Sequence, residues 1–374
     1  MSVFDEANHP SEEVAGDLRQ DTCKIHRPGE CGLDDANALL EGFSQGERIE
    51  LAGNPNTLRG TLVRLSEDKD PWVRRRVAGN PNTPTGVLDR LSEDEDPWVR
   101  QSTAFNPNAP TGVLDRLSED KNPGVRWWVA RHPTAPAEIL NRLSKDQAPN
   151  VRWEVVENPN TPVEVLTALS EDKNRGVRQG VAGNLNAPTK ALTRLSGDED
   201  SDVRREVARH PNTPARVLTV LGEDKDWRVR QRVVYNPNAL AETLTRLSED
   251  EDSWVRRSVA RNPNTPIKVL DRLSEDEDRG VRLGVAGNLN APTRVLDRLS
   301  EDGDPSVRLG VARNLNAPAK ALTKLSEDED PWVRLEVAKN LNVPAEVLTR
   351  LSEDQDLNVR DSVQQALADQ TNED

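Results

Sequence analysis

Apolar positions return along most of this chain with a fixed rhythm of 26 residues. Val-Arg recurs at Val73-Arg74, Val99-Arg100 and Val125-Arg126, and at the same interval on to Val359-Arg360. One period, residues 80–105, reads NPNTPTGVLDRLSEDEDPWVRQSTAF. Two helix starts are written into it. Thr83 before Pro84 predicts an N-cap followed by proline at the first helical position, where a missing N–H costs nothing. Asp96 before Pro97 repeats the signal, with a carboxylate that suits a helix N-terminus. The expected helices are a first over 84–92 and a second over 97–105. Asn80-Pro81 ends the preceding second helix, because the residue before proline is pushed out of the α region.

The first helix offers Val87, Leu88 and Leu91 to a core, and the second offers Val99 and Ala104. So few apolar side chains cannot hold two short helices by themselves. Stacked copies can bury a continuous core, which is why the unit is repeated. Twelve in-phase copies fill residues 54–365, and the pattern predicts an all-α solenoid. Residues 28–53 read as a degenerate capping unit, since Leu39, Arg48 and Ala52 fall in phase with Leu65, Arg74 and Ala78. At the other end Gln364 and Gln365 replace apolar and turn residues, again as a cap would. Residues 1–27 are expected to be a flexible segment and 366–374 a tail.

Composition alone would suggest something else. Only 34% of residues are apolar, 31% are charged, and the net charge is −15. That profile leans towards disorder. The strict period overrules it, because a repeat array needs only a thin shared core. Two cysteines are too few for a disulfide framework, the acidic N-terminus lacks the features of a secretion signal, and no apolar run is long enough to span a membrane. The expectation is a cytoplasmic protein.

An Asp and an Arg stand six residues apart in every unit, from Asp68/Arg74 to Asp354/Arg360. A charge present in every copy is expected to be structural, as a ladder of Asp–Arg hydrogen bonds between stacked units. Asn82, Asn108 and Asn160, two residues before the first-helix proline, are expected to form a similar turn-stabilising ladder. His132 and His210 replace the turn asparagine found at Asn80 and Asn106. The pattern NPNTPxxVLxxLSEDxDxxVRxxVA resembles the leucine-rich repeat variant family, and the Asp-x5-Arg pair with Val before Arg also resembles the HEAT repeat signature. The resemblance covers residues 54–365 and implies a right-handed superhelical α-solenoid with binding rather than catalytic roles. It also implies that the second helices line a concave surface. The period of 26 is slightly longer than expected for that family.

Positions shared by all units build the scaffold, so function is sought where the units differ. On the second helix the variable positions are those of Trp72, Arg75, Arg76 and Gly79, a single stripe at i, i+3, i+4 and i+7. Seven of the eight tryptophans lie on it (Trp72, Trp98, Trp127, Trp128, Trp153, Trp254 and Trp332), with Phe105 and Tyr235. So do Arg75, Arg76, Arg131, Arg205, Arg209, Arg228, Arg232, Arg257, Arg261, Arg313 and Lys339, against the acids Glu154, Glu157, Asp202, Glu206, Glu336 and Asp361. Trp- and Arg-rich composition marks interaction hot spots. Acid collects instead in the loops between helices, as in Glu93-Asp94-Glu95-Asp96. Units five and nine carry glycines on the stripe (Gly176, Gly180, Gly183; Gly280, Gly284, Gly287), which suits either close approach of a ligand or a recent duplication.

Cys23, His26 and Cys31, with His9 upstream, are weak candidates for a metal. Leucine-rich repeat variant proteins can carry an N-terminal iron–sulfur cluster, but two cysteines fall short of the four thiolates such a cluster takes. No cofactor is expected, and no phosphate-binding loop, nucleophile elbow or HExxH motif is present. The chain is expected to be a non-enzymatic scaffold for a protein or peptide partner. Trp72, Trp98, Trp127, Trp128 and Trp153 would be anchors, and the arginines between Arg205 and Arg261 would engage an acidic segment. The alternatives are nucleic-acid binding on the same stripe, which the charge of −15 opposes, and nucleic-acid mimicry by the acidic loop edge.

Overall fold

The computed structural model describes residues 42–372, which form 25 α-helices with no strand among them. They divide into two compact units, one through Leu169 and one from Ser170. The first unit holds α1 (Gln45–Gly53), α2 (Arg59–Leu65), α3 (Pro71–Gly79), α4 (Thr85–Leu91), α5 (Pro97–Phe105), α6 (Thr111–Leu117), α7 (Pro123–Arg131), α8 (Ala137–Leu143), α9 (Pro149–Glu157) and α10 (Val163–Leu169). The second begins with α11 (Arg175–Gly183), α12 (Thr189–Leu195), α13 (Ser201–Arg209), α14 (Ala215–Leu221), α15 (Trp227–Tyr235), α16 (Ala241–Leu247), α17 (Ser253–Arg261) and α18 (Ile267–Leu273). It continues with α19 (Arg279–Ala286), α20 (Thr293–Leu299), α21 (Pro305–Arg313), α22 (Ala319–Leu325), α23 (Pro331–Lys339), α24 (Ala345–Leu351) and α25 (Leu357–Asn372).

The architecture is an all-α solenoid. Even-numbered helices are the short first helices of the repeats, and odd-numbered ones the second. Within each unit a second helix packs chiefly on the second helices before and after it, while first helices touch one another less closely. The core is the expected one: Val87, Leu88, Leu91, Val99 and Ala104 are all buried, as are most of their counterparts in both units, Thr61 and Gln364 at the ends excepted.

The second helix starts as its sequence predicts. Asp96 Oδ1 accepts from the N–H groups of Trp98 at 2.7 Å and Val99 at 3.3 Å, with Pro97 in the first turn. The first helix starts differently. Pro84, not Thr83, is its N-cap, with φ −60° and ψ 145°, and its carbonyl accepts from Val87 at 2.9 Å and Leu88 at 3.1 Å. Thr83 is buried and turns the other way, donating its hydroxyl to the Val77 carbonyl at the end of α3. Thr57, Thr213 and Thr265 do the same to Leu51, Val207 and Val259, each at 2.6 Å. The threonine thus adds a second donor to a last-turn carbonyl that already accepts from the cap residue's N–H, as Val77 does from Asn80 at 3.0 Å.

Two ladders tie neighbouring repeats. Arg100 reaches forward to Asp120 with Nε at 2.6 Å and Nη2 at 3.0 Å, and back to the Asp94 carbonyl with Nη1 at 2.7 Å. The same two-pronged contact joins Arg74 to Asp94 and Arg126 to Asp146 in the first unit. In the second unit it joins Arg178 to Asp198, Arg204 to Asp224, Arg230 to Asp250, Arg256 to Asp276, Arg282 to Asp302, Arg308 to Asp328 and Arg334 to Asp354. Arg48 on α1 enters it as well, at 2.7 Å from Asp68.

Asparagine builds the second ladder. Asn106 Nδ2 donates to the carbonyls of Ala78 and Asn80 in the preceding repeat at 2.7 and 2.8 Å, and Asn108 Nδ2 donates to that of Pro81 at 2.7 Å. His132 and His210 take the Asn106 role. His210 Nε2 lies 2.9 Å from the Asn184 carbonyl, and its Nδ1 accepts from the Asn212 N–H at 3.1 Å. Those two contacts require the neutral ring with its proton on Nε2. Burial pushes the His210 pKa down from its usual value, outweighing the bond to Asn184.

Candidate interaction surface

In the first unit the stripe of α3, α5 and α7 becomes a packed aromatic surface threaded by arginine. The Arg75 guanidinium lies 5.3 Å from the ring centres of both Trp72 and Trp98, whose own faces are exposed. Arg131 sits 5.2 Å from Trp127 and 5.7 Å from Trp128. Trp128 meets Phe105 edge-to-face at 4.8 Å and Trp127 at 4.7 Å. Between these groups lies a cavity of about 620 Å³, lined by Gly53, Trp72, Arg75, Arg76, Gly79, Asn80, Gln101, Ser102, Phe105 and Trp128. No carboxylate is among them. Neither Arg75 nor Arg76 makes a side-chain hydrogen bond or ion pair within the described residues, in contrast to the ladder arginines. Trp153, on α9, is exposed without a ring partner there.

Glu154 departs from the expected open stripe. It is only 6% exposed, its Oε2 has no hydrogen-bond partner, and Arg131 Nε stands 3.8 Å from its carboxylate. Burial raises its pKa, against the pull of Arg131.

The second unit sorts the remaining basic residues into two groups. Arg205 pairs with Asp202 at 2.7 Å, Arg209 with Glu206 at 3.6 Å, Arg313 with Glu336 at 3.1 Å, and Lys339 with Glu336 at 3.7 Å. Arg228, Arg232, Arg257 and Arg261, on adjacent α15 and α17, make no ion pair within 4 Å of a carboxylate among the described residues, although, against the upward push of burial, Arg228 pulls down the pKa of the cap residue Asp226. Arg228 lies over Trp227 at 5.7 Å and Arg257 over Trp254 at 5.3 Å. Arg257 Nε is buried without a hydrogen-bond partner. Between the arginines, Tyr235 donates its hydroxyl to Ser258 Oγ at 3.1 Å. Trp332 is exposed and stands apart, with no arginine over it.

Neighbouring second helices also explain part of the glycine pattern. A Cβ on Gly284 would fall 2.9 Å from Ala260 Cβ and 3.3 Å from both the Arg257 carbonyl and Arg261 Cγ. One on Gly280 would meet its own cap, Asp278 Oδ1, at 2.9 Å and Arg257 Cδ at 3.4 Å. Gly284 thus makes room for α17, while Gly280 makes room chiefly for the capping carboxylate of its own helix. Gly183, its counterpart in unit five to Gly287, faces open space.

The acidic loops are largely occupied. Asp94 holds Arg74, Asp96 caps α5, and Glu93 faces Arg116 at 3.3 Å. What remains outermost is the Glu95 position, 91% exposed at the side chain. Its counterparts Lys69, Lys121, Gln147, Lys173 and Lys225 make that edge mixed in charge, not uniformly acidic.

Comparison with known proteins bears on the repeat. The family profile described as leucine rich repeat variant matches residues 71–96 and 254–278, each match spanning one period and starting in a second helix. At those two places the repeat is similar to the leucine rich repeat variant. Among solved structures, one described as a leucine-rich repeat variant with a novel repetitive structural motif is 27% identical, with 62% of this chain and 87% of that chain covered at a TM-score of 0.46. Kap121p is 13% identical, covering 96% of this chain and 49% of its own at a TM-score of 0.41. Kap95p, from a structure with RanGDP, is 12% identical over 96% and 52% at 0.37. No curated protein matches.

The leucine rich repeat variant matches begin on the helices that carry Trp72 and Trp254. Sequence reasoning named Gly79 on the stripe but not Gly53, Gln101, Ser102 and Asn80 as lining; the signal for the first three is their phase, 26 residues from Gly79, Arg75 and Arg76. Cys23, His26, Cys31 and His9 lie outside the described residues, as do 1–27 and most of 28–53. Among the described residues no cluster of three or more His, Cys, Asp or Glu could hold a metal, and no helix is long and apolar enough to cross a membrane.

Proposed function

We propose that this chain is a non-enzymatic interaction scaffold that holds an acidic protein or peptide segment on its second-helix faces. Residues 54–365 would form the binding array, with 28–53 as its capping unit and 366–374 as a tail. The observation that carries the proposal is the split among arginines. Ladder arginines are locked on carboxylates, whereas Arg75, Arg76, Arg228, Arg232, Arg257 and Arg261 are left without one on faces shared with exposed tryptophans. A guanidinium supported by an indole keeps its edge N–H groups for a planar bidentate acceptor such as a carboxylate. Arg205 and Arg209 take no part in this surface, because each already has an acid on its own helix.

Nucleic acid fits less well. Arg75 already engages both Trp72 and Trp98, the rings on which a base would stack, and the net charge of −15 repels a polyanion at long range. Labelled polyglutamate, followed by fluorescence anisotropy, tests the reading. Binding should be saturable at low salt and strongly reduced when Arg228, Arg232, Arg257 and Arg261 are changed to Gln. Absence of binding, or binding indifferent to those changes, would refute it.

A further inference from the structure

The cavity in the first unit has features that narrow its occupant further. Its volume of about 620 Å³ falls in the range of roughly 300–1,000 Å³ that suits a small ligand or a few peptide residues. Phe105 and Trp128 form an edge-to-face apolar wall. Arg75 forms the other side, its guanidinium 5.3 Å from the ring centres of both Trp72 and Trp98 and its N–H groups without a protein acceptor among the described residues. Arg76 adds a second unpaired charge, and no acid lines the space. A cation held beside two rings gives up less freedom on binding, which favours its pairing with a carboxylate.

We propose that this cavity is the receptor for a peptide segment in which a carboxylate meets the edge of Arg75 and a neighbouring aromatic or large aliphatic side chain lies against Phe105 and Trp128. The inference rests on the scaffold reading above and adds to it a specificity: acid next to bulky apolar, in place of acid alone. Gly79 provides the test. It lines the cavity, yet a Cβ there meets nothing within 4 Å. Gly79→Phe therefore fills the space without disturbing the stack.

A displayed random-peptide library would be selected on the full chain, and the recovered peptides resynthesised and titrated against variants. Peptides pairing Asp or Glu with an adjacent Phe, Tyr, Trp, Leu, Ile or Met are expected. Their affinity should fall about ten-fold or more on Gly79→Phe and stay within about two-fold on Gly79→Ala. Thermal melting of both variants should match the parent chain. On Arg75→Gln, peptides with the acid changed to its amide should bind as well as the originals. Recovered peptides without the acid–apolar pairing, or affinity unchanged on Gly79→Phe, would overturn the inference. Affinity that survives Gly79→Phe but is lost on the four-arginine variant would overturn the cavity while leaving the scaffold standing. A library that enriches nothing would overturn both.

Discussion

Replacing Arg100 by Met tests whether the Asp–Arg ladder holds adjacent repeats together. The Arg100 and Asp120 side chains are 7% and 8% exposed, so this pair is shielded from solvent far better than a surface ion pair. Methionine keeps much of the apolar stem but removes two bonds to Asp120 and two to the Asp94 and Glu95 carbonyls, at 2.7 and 3.1 Å. Breaking a buried pair from one side costs about 3–5 kcal/mol. The lower end applies here, because Asp120 keeps the backbone N–H of Asn122 at 2.8 Å. Arg360 is the internal control. It makes the same carbonyl contacts, at 2.6 Å to Asp354 and 3.2 Å to Gln355, with no carboxylate ahead of it among the described residues. Arg360→Met should therefore cost only about 1 kcal/mol.

Because repeat arrays need not unfold as one step, the assay is amide hydrogen exchange resolved by helix, with urea unfolding alongside. Arg100→Met should speed exchange most in α5 and α7, and a double-mutant cycle with Asp120→Ala should give a coupling of about 2 kcal/mol or more. Equal effects of Arg100→Met and Arg360→Met, or a coupling below about 0.5 kcal/mol, would reduce the ladder to surface pairs of little energetic weight and refute this reasoning.

Other outcomes follow from the same contacts. His210 has its folded pKa depressed by burial, so its contribution is intact above the unfolded value of about 6.5 and is lost as pH falls below it. His210→Asn, which restores the residue used in most repeats, should therefore flatten the drop in urea midpoint between about pH 7 and pH 5 and change little at pH 8. Asp354, whose pKa is lowered chiefly by its bond to Arg334, contributes stability that is present above its unfolded pKa and lost in acid, so the array should weaken below about pH 4. Gly284→Ala should destabilise by about 1–3 kcal/mol through overpacking on Ala260, whereas Gly183→Ala should be neutral or stabilising by up to about 1 kcal/mol, read by thermal unfolding. Trp128→Ala should lower the melting temperature by removing both edge-to-face contacts, while Trp332→Ala should leave stability within about 0.5 kcal/mol.

Much of the scaffold was legible because every repeat obeys the same local chemistry. The Val/Leu period, the Asp caps, the Asp–Arg pairing and the exchange of Asn for His each recur in phase, so one unit explains the rest. Thr83 was misread because an N-cap and a C-terminal carbonyl donor use the same hydroxyl in the same short turn. Only the position of the preceding helix decides between them. Charge pairing on the stripe was partly legible: Asp202/Arg205 and Glu206/Arg209 are i,i+3 neighbours on one helix, a spacing that brings side chains together. Burial of Glu154 and the need for glycine at Gly284 were not legible, because both depend on how closely successive second helices approach. Arg75 between Trp72 and Trp98 spans two repeats 26 residues apart, and a periodic sequence does not reveal which ring a side chain will choose.

The most direct test is a paired titration of the purified chain with polyglutamate and with single-stranded DNA. Tryptophan fluorescence would be followed at about 50 and 200 mM salt. An acidic-peptide scaffold predicts that polyglutamate shifts the emission, more weakly at higher salt, and that DNA leaves it unchanged. Quenching by DNA that falls steeply with salt, with no response to polyglutamate, would contradict the account and move the Trp–Arg surface to nucleic acid.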